Sequence, residues 1–398
     1  MKILVVHNAY RQPGGEDAVA QAEVELLRAN GHDVEFVRLS NTAIDDMPRP
    51  ALAAATIWNP ASRHDIGQLC ERFVPDIIHA HNTFPLVSPS LYWMAAQQRV
   101  PVVQTLHNFR LICPQAMLLK HGELCEACVG HLPWRAVTNR CYHDSAVESA
   151  VICAMVAVHR AIGTYRRKVT SYIAPSRFCK DKHVAGGFAA DSIHVKPNFV
   201  AASGEPDWRN RHHGLFVGRL SNEKGLRVLA EALIRMRHRR HPIPEARIPK
   251  VQVIGGGPLE VHVAEEFKED YLGRMTRAEV LGHLHKAQFA VVPSICYETF
   301  GLAAAEAFSC GTPVIASNHG GIGELIEDGK TGLLFAPGDA HELSYKIEWA
   351  ADHPEEMVRM GQEAYRRYLE KYTPQRNYVM LREIYDNAIS AAGRTRHA

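Results

Sequence analysis

Short runs of Val, Ile and Leu alternate with helix-like segments along almost the whole chain, in two successive series. The first series is Ile3 to Val6, Val34 to Val37, Ile77 to Ala80, Val102 to Leu106, Tyr172 to Ala174 and Ile193 to Lys196, and the second is Leu215 to Val217, Val251 to Ile254, Phe289 to Val292, Pro313 to Ala316 and Leu333 to Phe335. Strands that alternate with helices form parallel sheets with helices on both faces. The sequence therefore predicts an α/β protein with two doubly wound domains.

A polar stretch separates the two series. Residues Ala201 to His213 show no periodicity and contain a Gly, a Pro and several charges. Such a composition is typical of a linker, so we place the domain boundary near residues 200 to 212. The chain has 398 residues and 46% hydrophobic content, which is enough to bury two cores. We expect an N-terminal domain of residues 1–200 and a C-terminal domain of residues 212–375.

Composition and charge exclude some functional classes. The formal net charge of +2 gives no reason to expect a nucleic-acid-binding protein. The basic run Arg235 to His241 lacks interleaved aromatic residues, so we interpret it as a solvated helix end. The longest apolar run, Ala150 to Val158, is too short to cross a bilayer and predicts a buried helix. Met1 to Val6 already has the pattern of a strand, so we expect no cleavable leader and a cytoplasmic protein.

Two acidic residues eight positions apart, Glu298 and Glu306, flank the start of a predicted helix. Glu298 precedes this Ala-rich helix, Glu306 lies within it, and Gly301 between them lets a phosphate approach backbone N–H groups. Eight residues span roughly 12 Å at about 1.5 Å each, so the two carboxylates can bind hydroxyl-rich groups on either side of a diphosphate. This suits a nucleotide-sugar. The alternative is an Ala-rich core helix with a solvated Glu at each end.

A predicted strand of the second series ends at Gly218 and is followed by two cations, Arg219 and Lys224. A diphosphate leaving group carries roughly two negative charges, which these side chains can stabilise without a divalent ion. The chain contains no Asp-x-Asp pair to hold such an ion. The alternative is a solvated turn, although the separation from the acidic pair is typical of one Rossmann-like domain.

Together these motifs resemble the retaining glycosyltransferases of family 4. That family has the GT-B fold, in which two Rossmann-like doubly wound domains face each other across a cleft. The resemblance extends over nearly the whole chain, and its motifs are specific only in combination. The matching segments are Gly14-Gly15, His107, Gly218-Arg219-Leu220, Glu223-Lys224-Gly225, Gly255-Gly256-Gly257-Pro258, Pro293-Ser294 and Glu298 to Glu306.

The resemblance implies roles for the matching residues. Arg219 and Lys224 would contact the donor diphosphate, Glu306 the ribose hydroxyls and Glu298 the transferred sugar, while His107 would face the donor sugar near the reacting carbon. The implied catalytic residues are His107, Arg219, Lys224 and Glu298. The implied donor-binding residues are Gly14, Gly15, Gly218, Arg219, Lys224, Gly256, Glu298, Thr299, Phe300, Gly301, Leu302 and Glu306. A C-terminal helix, residues 376–398, would pack back on the N-terminal domain.

The activity implied by the resemblance is transfer of a sugar, with retention, from a UDP- or GDP-linked donor to a glycan or lipid-linked acceptor. We expect a place in cell-envelope or exopolysaccharide synthesis and no cofactor for catalysis. Some members of the family rest on membranes, and Arg166-Arg167-Lys168 is compatible with peripheral association at the inner face. Two alternatives stay open. One is an epimerase or phosphorylase on the same fold, and the other is a catalytically silent nucleotide-sugar-binding protein.

An insert in the first half contains four of the nine cysteines. Cys125 and Cys128 have the spacing of zinc ligands, and Cys113 and Cys141 flank them, so the pattern predicts a structural zinc site. Free thiols, a disulfide and a loose surface loop are the alternatives. The other five cysteines are expected to be packing residues. They are Cys70, Cys153, Cys179, Cys296 and Cys310.

Besides His107, three histidines lie near the predicted carboxyl ends of strands, where α/β folds bind ligands. His79 and His81 are two residues apart and therefore share a face. We expect them to support neighbouring residues rather than to contact a ligand. His319 precedes Gly320-Gly321, so its turn is a candidate for phosphate contact through backbone groups.

Overall fold

A computed structural model describes residues 1–12, 14–202, 204–238 and 249–394, with Arg394 described by its backbone only. The described residues divide into two compact units. The first unit comprises the segments Met1–Lys120, Cys125–Pro197 and the described part of Asn377–Ala398. The second comprises His121–Leu124 and Asn198–Arg376.

The strands are short, and twelve of the fourteen in the described residues form two six-stranded sheets. In chain order they are β1 (Lys2–Ala9), β2 (Asp33–Ser40), β3 (Ile77–Asn82), β4 (Val102–Thr105), β5 (Leu119–Lys120), β6 (Glu123–Leu124), β7 (Ser171–Ala174), β8 (Ile193–Val195), β9 (His212–Val217), β10 (Val251–Ile254), β11 (Tyr271–Gly273), β12 (Ala287–Val292), β13 (Val314–Ser317) and β14 (Gly332–Phe335).

Helices connect most of these strands. In chain order they are α1 (Gly15–Ala29), α2 (Arg49–Ile57), α3 (Pro60–Phe73), α4 (Ser90–Gln97), α5 (Arg135–Thr138), α6 (Ala146–Ala161), α7 (Thr164–Arg167), α8 (Arg177–Ala185), α9 (Leu226–Arg237), α10 (Glu260–Phe267), α11 (Arg277–Lys286), α12 (Leu302–Ser309), α13 (Gly320–Leu325), α14 (Ala340–Asp352), α15 (Pro354–Lys371) and α16 (Pro374–Arg394).

The first unit contains a six-stranded parallel sheet in the order β2-β1-β3-β4-β7-β8. β1 is buried beyond Lys2 and β3 is buried along its length, which explains why each begins with an apolar run, Ile3 to Val6 in β1 and Ile77 to Ile78 in β3. The strand order changes direction between β1 and β3, because β2 lies on one side of β1 and all later strands lie on the other. α16 covers part of this sheet: Leu381 and Tyr385 pack in one cluster with Ile3 and Ile77.

The second unit contains a parallel sheet in the order β11-β10-β9-β12-β13-β14. This is the strand order of the dinucleotide-binding Rossmann fold, and it changes direction between β9 and β12. Apolar clusters cover both faces. Ala304 and Phe308 of α12 belong to one cluster, and Leu229 of α9 and Leu343 of α14 belong to the other.

All eleven strands predicted from sequence are present, with ends that differ by a few residues. The prediction missed β5, β6 and β11, which have only two or three residues each and so show no periodicity. The run Ala150 to Val158 lies in α6, but the prediction of a buried helix was wrong for one face: Met155 is buried, whereas Val158 is 44% exposed.

The basic run and the predicted C-terminal helix both extend beyond the described residues. The basic run begins in the last turn of α9, and its residues 239–241 lie outside the described residues. The predicted C-terminal helix corresponds to α16, and residues 395–398 lie outside the description. Among the described residues, every helix is too short or too polar to cross a bilayer.

The packing of α16 predicts a position-dependent loss of stability. Leu381 is fully buried, so Leu381→Ala should lower the free energy of unfolding by about 2–5 kcal/mol. Val379 on the same helix is 63% exposed, so the control Val379→Ala should change it by less than about 0.5 kcal/mol. Urea unfolding followed by circular dichroism measures both. Equal effects would show that Leu381 is not packed as described.

Candidate functional site

Three loops meet at the carboxyl edge of the second sheet. The loop after β9 and the loop after β12 are joined by a hydrogen bond from the Ile295 N–H to the Glu223 carbonyl, 2.9 Å. The loops after β12 and β13 are joined by the Gly321 N–H, which donates to the Glu298 carbonyl at 2.6 Å. His319 Nε2 lies 2.8 Å from the Ser294 carbonyl. The loops from β9 and β12 flank the point where strand order reverses, which is where such sheets bind ligands.

Two glycines allow this close approach of loops. Gly225 has a φ of 73°, and a Cβ there would lie 1.8 Å from the Pro293 carbonyl oxygen. Gly255, in the loop after β10, has a φ of 150°, and a Cβ would lie 1.9 Å from the Gly218 carbonyl oxygen. No side chain fits at either position, so the backbone of the β9 loop is held between the loops on both sides.

An ion pair lies where the β9 and β12 loops meet. Lys224 Nζ is 2.6 Å from Glu298 Oε1, and Ser294 Oγ donates to the same oxygen at 2.7 Å. Burial by itself would raise the pKa of Glu298, but the Lys224 charge and these hydrogen bonds hold that pKa below its ordinary value. Burial opposes the charge of Lys224 as well, yet Glu298 raises the Lys224 pKa above its ordinary value. The two implied catalytic residues thus form one charged unit.

α12 starts immediately after this pair. Gly301 is its N-cap with a φ of 100°, Glu298 precedes the helix, and Glu306 lies within it, as the sequence indicates. The first N–H groups of a helix lack intrahelical acceptors and carry partial positive charge. These N–H groups suit an anion, and Glu298, the ion-pair partner of Lys224, lies just before them in the chain.

Glu306 lies in a partly buried position near a cation from another helix. Its side chain is 16% exposed, and its Oε1 is 3.5 Å from the Nε of Arg277, the first residue of α11. Burial raises the pKa of Glu306 although Arg277 counteracts it. Sequence reasoning missed Arg277, because no motif connects this residue to α12.

The remaining predicted donor-binding residues of the second unit lie on the same loops. Arg219 is exposed on the loop after β9, and Gly256 lies in the turn after β10, where the side chain of Arg274 covers it. Thr299 and Phe300 lie between Glu298 and α12. Arg274, which pairs with Glu260 at 3.2 Å, is a second cation at this edge that the sequence analysis missed.

In the first unit, the predicted Gly14-Gly15 turn leads from β1 into α1. Gly14 is the N-cap of α1 and Gly15 its first residue. Asp17 organises this turn by accepting the N–H groups of Gly14 at 2.8 Å and Tyr10 at 3.2 Å, and by bonding His7 Nε2 at 3.0 Å. Pro13 lies outside the described residues.

His107 lies just beyond β4 and is 9% exposed. Its Nε2 is 2.8 Å from Nδ1 of His81, and their rings stack with centroids 5.1 Å apart. Both residues line a cavity of about 30 Å³, together with polar side chains that include Asn108 and Arg110. His79 and His81 are buried, and their expected supporting role stays a prediction.

A buried acid lies behind these histidines. Glu23 of α1 is 0% exposed, and its Oε1 is 2.5 Å from Nζ of Lys196, whose side chain is also fully buried. The ligand atoms of Glu23, His79 and His81 lie within 4.8 Å of one another, a spacing that suits a metal ion. The Lys196 ammonium already provides positive charge there, and a divalent cation beside it would be repelled. Sequence reasoning missed the pair of Glu23 and Lys196, because these residues are 173 positions apart in the chain.

The four predicted zinc ligands line one cavity of about 20 Å³. They are Cys113, Cys125, Cys128 and Cys141. In the part of the chain that the structure describes, no three of their sulfurs lie within 4.8 Å of one another, whereas a tetrahedral zinc site with Zn–S bonds of about 2.3 Å requires closer sulfurs. The insert therefore gathers the thiols without holding them at ligand spacing, and the zinc site stays a prediction.

Cys153 is a packing residue, as expected, but its partners lie in the cysteine insert. It packs in one small apolar cluster with Cys128, and Cys141 contacts this cluster. Its Sγ donates to the Pro133 carbonyl at 3.0 Å. A residue on α6 thus joins the cysteine insert, which sequence spacing alone does not reveal.

Comparison with known proteins identifies the family. A family model described as "Glycosyltransferase Family 4" matches residues 13–203, and one described as "Glycosyl transferases group 1" matches residues 211–353. D-inositol 3-phosphate glycosyltransferase 2 of Catenulispora acidiphila is 32% identical over 405 residues, which covers 91% of this chain and 89% of that enzyme. The chain belongs to glycosyltransferase family 4.

Two further similarities agree with this assignment. Glycogen synthase of Mycobacterium tuberculosis is 29% identical over 306 residues, 74% of this chain, and the match spans 64% of the length of that enzyme. The crystal structure of Anabaena HepE in complex with UDP superposes with a TM-score of 0.66 at 18% identity and covers 97% of this glycosyltransferase and 100% of HepE. The structural similarity, together with the two Rossmann-like sheets, confirms the predicted GT-B fold class.

The Lys224–Glu298 pair predicts a pH-dependent contribution to stability. Lys224→Met leaves Glu298 without its cation in a partly buried site, so the free energy of unfolding at pH 7 should fall by about 1–3 kcal/mol. Because the folded pKa of Glu298 lies below its ordinary value of 4.5, the pair's contribution is complete above that pH and is lost as pH falls through the folded pKa.

Lys330→Met is the matched control, because Lys330 pairs with Glu327 at 3.0 Å with both side chains 45% exposed. Such a surface pair contributes at most about 1 kcal/mol. Chemical unfolding at pH 7 and below pH 4.5 measures both variants. If the two substitutions cost the same at pH 7, Lys224 and Glu298 do not form the pair described.

The zinc hypothesis predicts about one zinc per chain in protein purified without chelator. Simultaneous substitution of Cys125 and Cys128 by Ser should remove that zinc, whereas Cys70→Ser, at a buried cysteine outside the insert, should not. Elemental analysis and thiol titration provide the measurement. Zinc near zero, with four reactive thiols in the unfolded insert, would contradict the hypothesis.

Proposed function

We propose that this glycosyltransferase transfers a sugar from a UDP- or GDP-linked donor to a hydroxyl group of a glycan or lipid-linked acceptor, with retention of anomeric configuration. The observation that carries the proposal is the ion pair between Lys224 and Glu298, which lies just before α12 at the edge of the second sheet where strand order reverses. A cation and the N–H groups that begin a helix both suit a diphosphate.

The main catalytic effect in this proposal is stabilisation of the departing diphosphate. As the bond between the anomeric carbon and the phosphate oxygen breaks, its electron pair moves to the diphosphate. Lys224, Arg219 and the N–H groups around Gly301 would then interact more strongly with that oxygen than in the bound donor. His107 would contact the transferred sugar, as the family resemblance implies.

Retention fits the chemistry of Glu298. A carboxylate held in an ion pair, with its pKa below the ordinary value, is a weak nucleophile, so Glu298 is poorly suited to a covalent glycosyl intermediate. We therefore infer that the acceptor oxygen attacks the anomeric carbon on the face from which the diphosphate departs. The acceptor proton passes to a diphosphate oxygen, so no protein base is needed for this step.

The relatives support a nucleotide-sugar donor without fixing its identity. HepE binds UDP and UDP-glucose in its solved complexes, and the sequence relatives are a glycogen synthase and inositol phosphate glycosyltransferases. We propose a uridine diphosphate donor first and a guanosine diphosphate donor second. A role in cell-envelope or exopolysaccharide synthesis, and peripheral membrane association through Arg166-Arg167-Lys168, are part of the same proposal.

Single-turnover assays with labelled UDP- and GDP-sugars test the proposal against its alternatives. Transfer predicts a glycosylated acceptor with the anomeric configuration of the donor, read by NMR of the product. Isomerised donor or free glycosyl phosphate in the absence of acceptor would instead identify an epimerase or a phosphorylase. Nucleotide-sugar binding without any turnover across the acceptor panel would identify a silent binding protein.

Substitution of Arg219 or Lys224 should reduce kcat much more than it reduces the stability of the fold. Arg219→Ala and Lys224→Ala should each lower kcat by about 10²–10³-fold, the usual effect of losing one preorganised group that stabilises developing charge. Lys330→Ala, on an exposed loop of the same unit, should leave kcat unchanged. Steady-state kinetics with the preferred donor give the comparison. A loss below about threefold in both cation variants would contradict the proposed role.

The proposed ribose contact of Glu306 has a separate signature. Glu306→Gln should weaken UDP binding by about 10–100-fold, because a hydrogen bond to a charged group contributes about 1.5–3 kcal/mol. It should also remove the preference for UDP over 2′-deoxy-UDP. Glu327→Gln, at an exposed glutamate, is the control. Calorimetric titration with both nucleotides measures this. An unchanged preference in the Glu306 variant would refute the assignment.

A further inference from the structure

A buried row of polar side chains in the first unit connects a charged pair to His107. Nζ of Lys196 is 2.5 Å from Glu23 Oε1, Glu23 Oε2 is 3.4 Å from Nε2 of His81, and Nδ1 of His81 is 2.8 Å from Nε2 of His107. Lys196, Glu23 and His81 are each at most 2% exposed. The family resemblance gives a role to His107 only. It leaves the three residues behind His107 unexplained.

The unsatisfied atoms of this row face each other. Within the described residues, Glu23 Oε2 and His81 Nε2 are both buried without a hydrogen-bond partner. The other imidazole near Glu23 Oε2 is that of His79, at 3.7 Å, but its Nδ1 already shares a hydrogen bond of 2.7 Å with the Tyr385 hydroxyl. The carboxylate oxygen and His81 are therefore each other's nearest available partners.

The charge of Glu23 decides the proton position on His81. The ammonium of Lys196 stabilises Glu23 as a carboxylate, which only accepts hydrogen bonds. An anionic oxygen attracts an imidazole N–H and repels an imidazole lone pair, so His81 carries its proton at Nε2. His81 Nδ1 then holds the lone pair and acts as the acceptor of the short bond to His107.

The proton position on His107 follows from that on His81. Since His81 Nδ1 accepts, His107 Nε2 must donate, and its own proton lies at Nε2. Burial, with the charges of the surrounding histidines and Lys196, lowers the pKa of both imidazoles, so each carries a single proton at neutral pH. Among the described residues, His7, which is bonded to Asp17, and His79 are titratable groups that also face this pair.

We propose that Glu23, Lys196 and His81 are positioning residues that fix His107 as the tautomer with a proton at Nε2 and a lone pair at Nδ1. His107 then presents a hydrogen-bond acceptor, not a donor, at Nδ1. This suits contact with a sugar hydroxyl in the transfer reaction. The catalytic consequence rests on the proposed function, whereas the tautomer itself does not.

The tautomer can be measured directly in the intact protein. Long-range ¹H–¹⁵N correlation spectra of ¹⁵N-histidine-labelled protein distinguish protonated from bare imidazole nitrogens, and a His107→Gln sample assigns the signals. The wild type should show His107 protonated at Nε2 and bare at Nδ1. A proton on Nδ1 overturns the proposal, whether or not the protein has transferase activity.

Glu23→Gln tests the cause. The amide oxygen of Gln would accept from Lys196, which turns the amide N–H groups toward His81. His81 Nε2 would then accept a hydrogen bond, and its proton would lie at Nδ1, facing His107. We expect the His107 proton to move to Nδ1 and kcat to fall at least 10-fold, with KM for the donor changed less. The misplaced tautomer of a catalytic histidine is known to be this costly or more.

Tyr385→Phe is the matched control, because Tyr385 is equally buried and bonds His79 rather than His81. It should leave the His107 tautomer and kcat unchanged. If Glu23→Gln does not fold, the wild-type spectrum still decides the proposal. A folded Glu23→Gln protein with an unchanged His107 signal overturns it. If Glu23→Gln reverses the His107 tautomer but the wild-type protein shows no turnover, the result supports the positioning role of Glu23, Lys196 and His81. It then counts only against the proposed transferase function.

Discussion

The common direction of the strands in each parallel sheet determines where this protein can do chemistry. All strand carboxyl ends in a sheet lie at one edge, and right-handed helical crossovers return the chain to the opposite edge before the next strand. Residues far apart in sequence therefore reach the same edge, as Lys224 and Glu298 do after β9 and β12. Each sheet also has one point where strand order reverses, and the loops on its two sides diverge to leave room for a ligand.

In the second unit, the loops at this edge are also packed closely against one another. Gly225 and Gly255 occur where a Cβ would overlap a neighbouring carbonyl, so the absence of a side chain lets the loops approach each other closely. The charged side chains are stabilised by one another and by Ser294, which offsets the desolvation of Lys224 and Glu298. An arrangement of fixed dipoles and paired charges needs little reorganisation when an anion binds.

The first unit contains a charged pair in its interior. A fully buried Lys196–Glu23 pair is costly to desolvate, and an apolar pair of similar volume would often be at least as stable. Its position behind His81 and His107 gives it a chemical consequence, because a fixed charge orders the protons of neighbouring imidazoles. Asp17 has a comparable effect on the turn that contains Gly14, since its carboxylate accepts two backbone N–H groups.

The sequence predicted the strands well because a buried parallel strand leaves a run of apolar residues, as in Phe289 to Val292 of β12. It also placed Glu298 before α12 and Glu306 within it. It missed Arg277, Arg274 and Glu23, since their importance comes from neighbours brought close only by folding. The half-exposed face of α6 was missed for a related reason: Ala and Val are compatible with either environment. The apolar run of a strand can be read from neighbouring residues, whereas a side-chain pair depends on residues that are distant in the sequence.

We propose that the edge of the second sheet binds a diphosphate through cations and peptide dipoles. Calorimetric comparison of UDP with uridine at two salt concentrations tests this most directly. Charge-assisted bonds of about 1.5–3 kcal/mol each predict that UDP binds at least about 100-fold more tightly than uridine, with an advantage that decreases as salt increases. Equal affinities for UDP and uridine, independent of salt, would contradict the account.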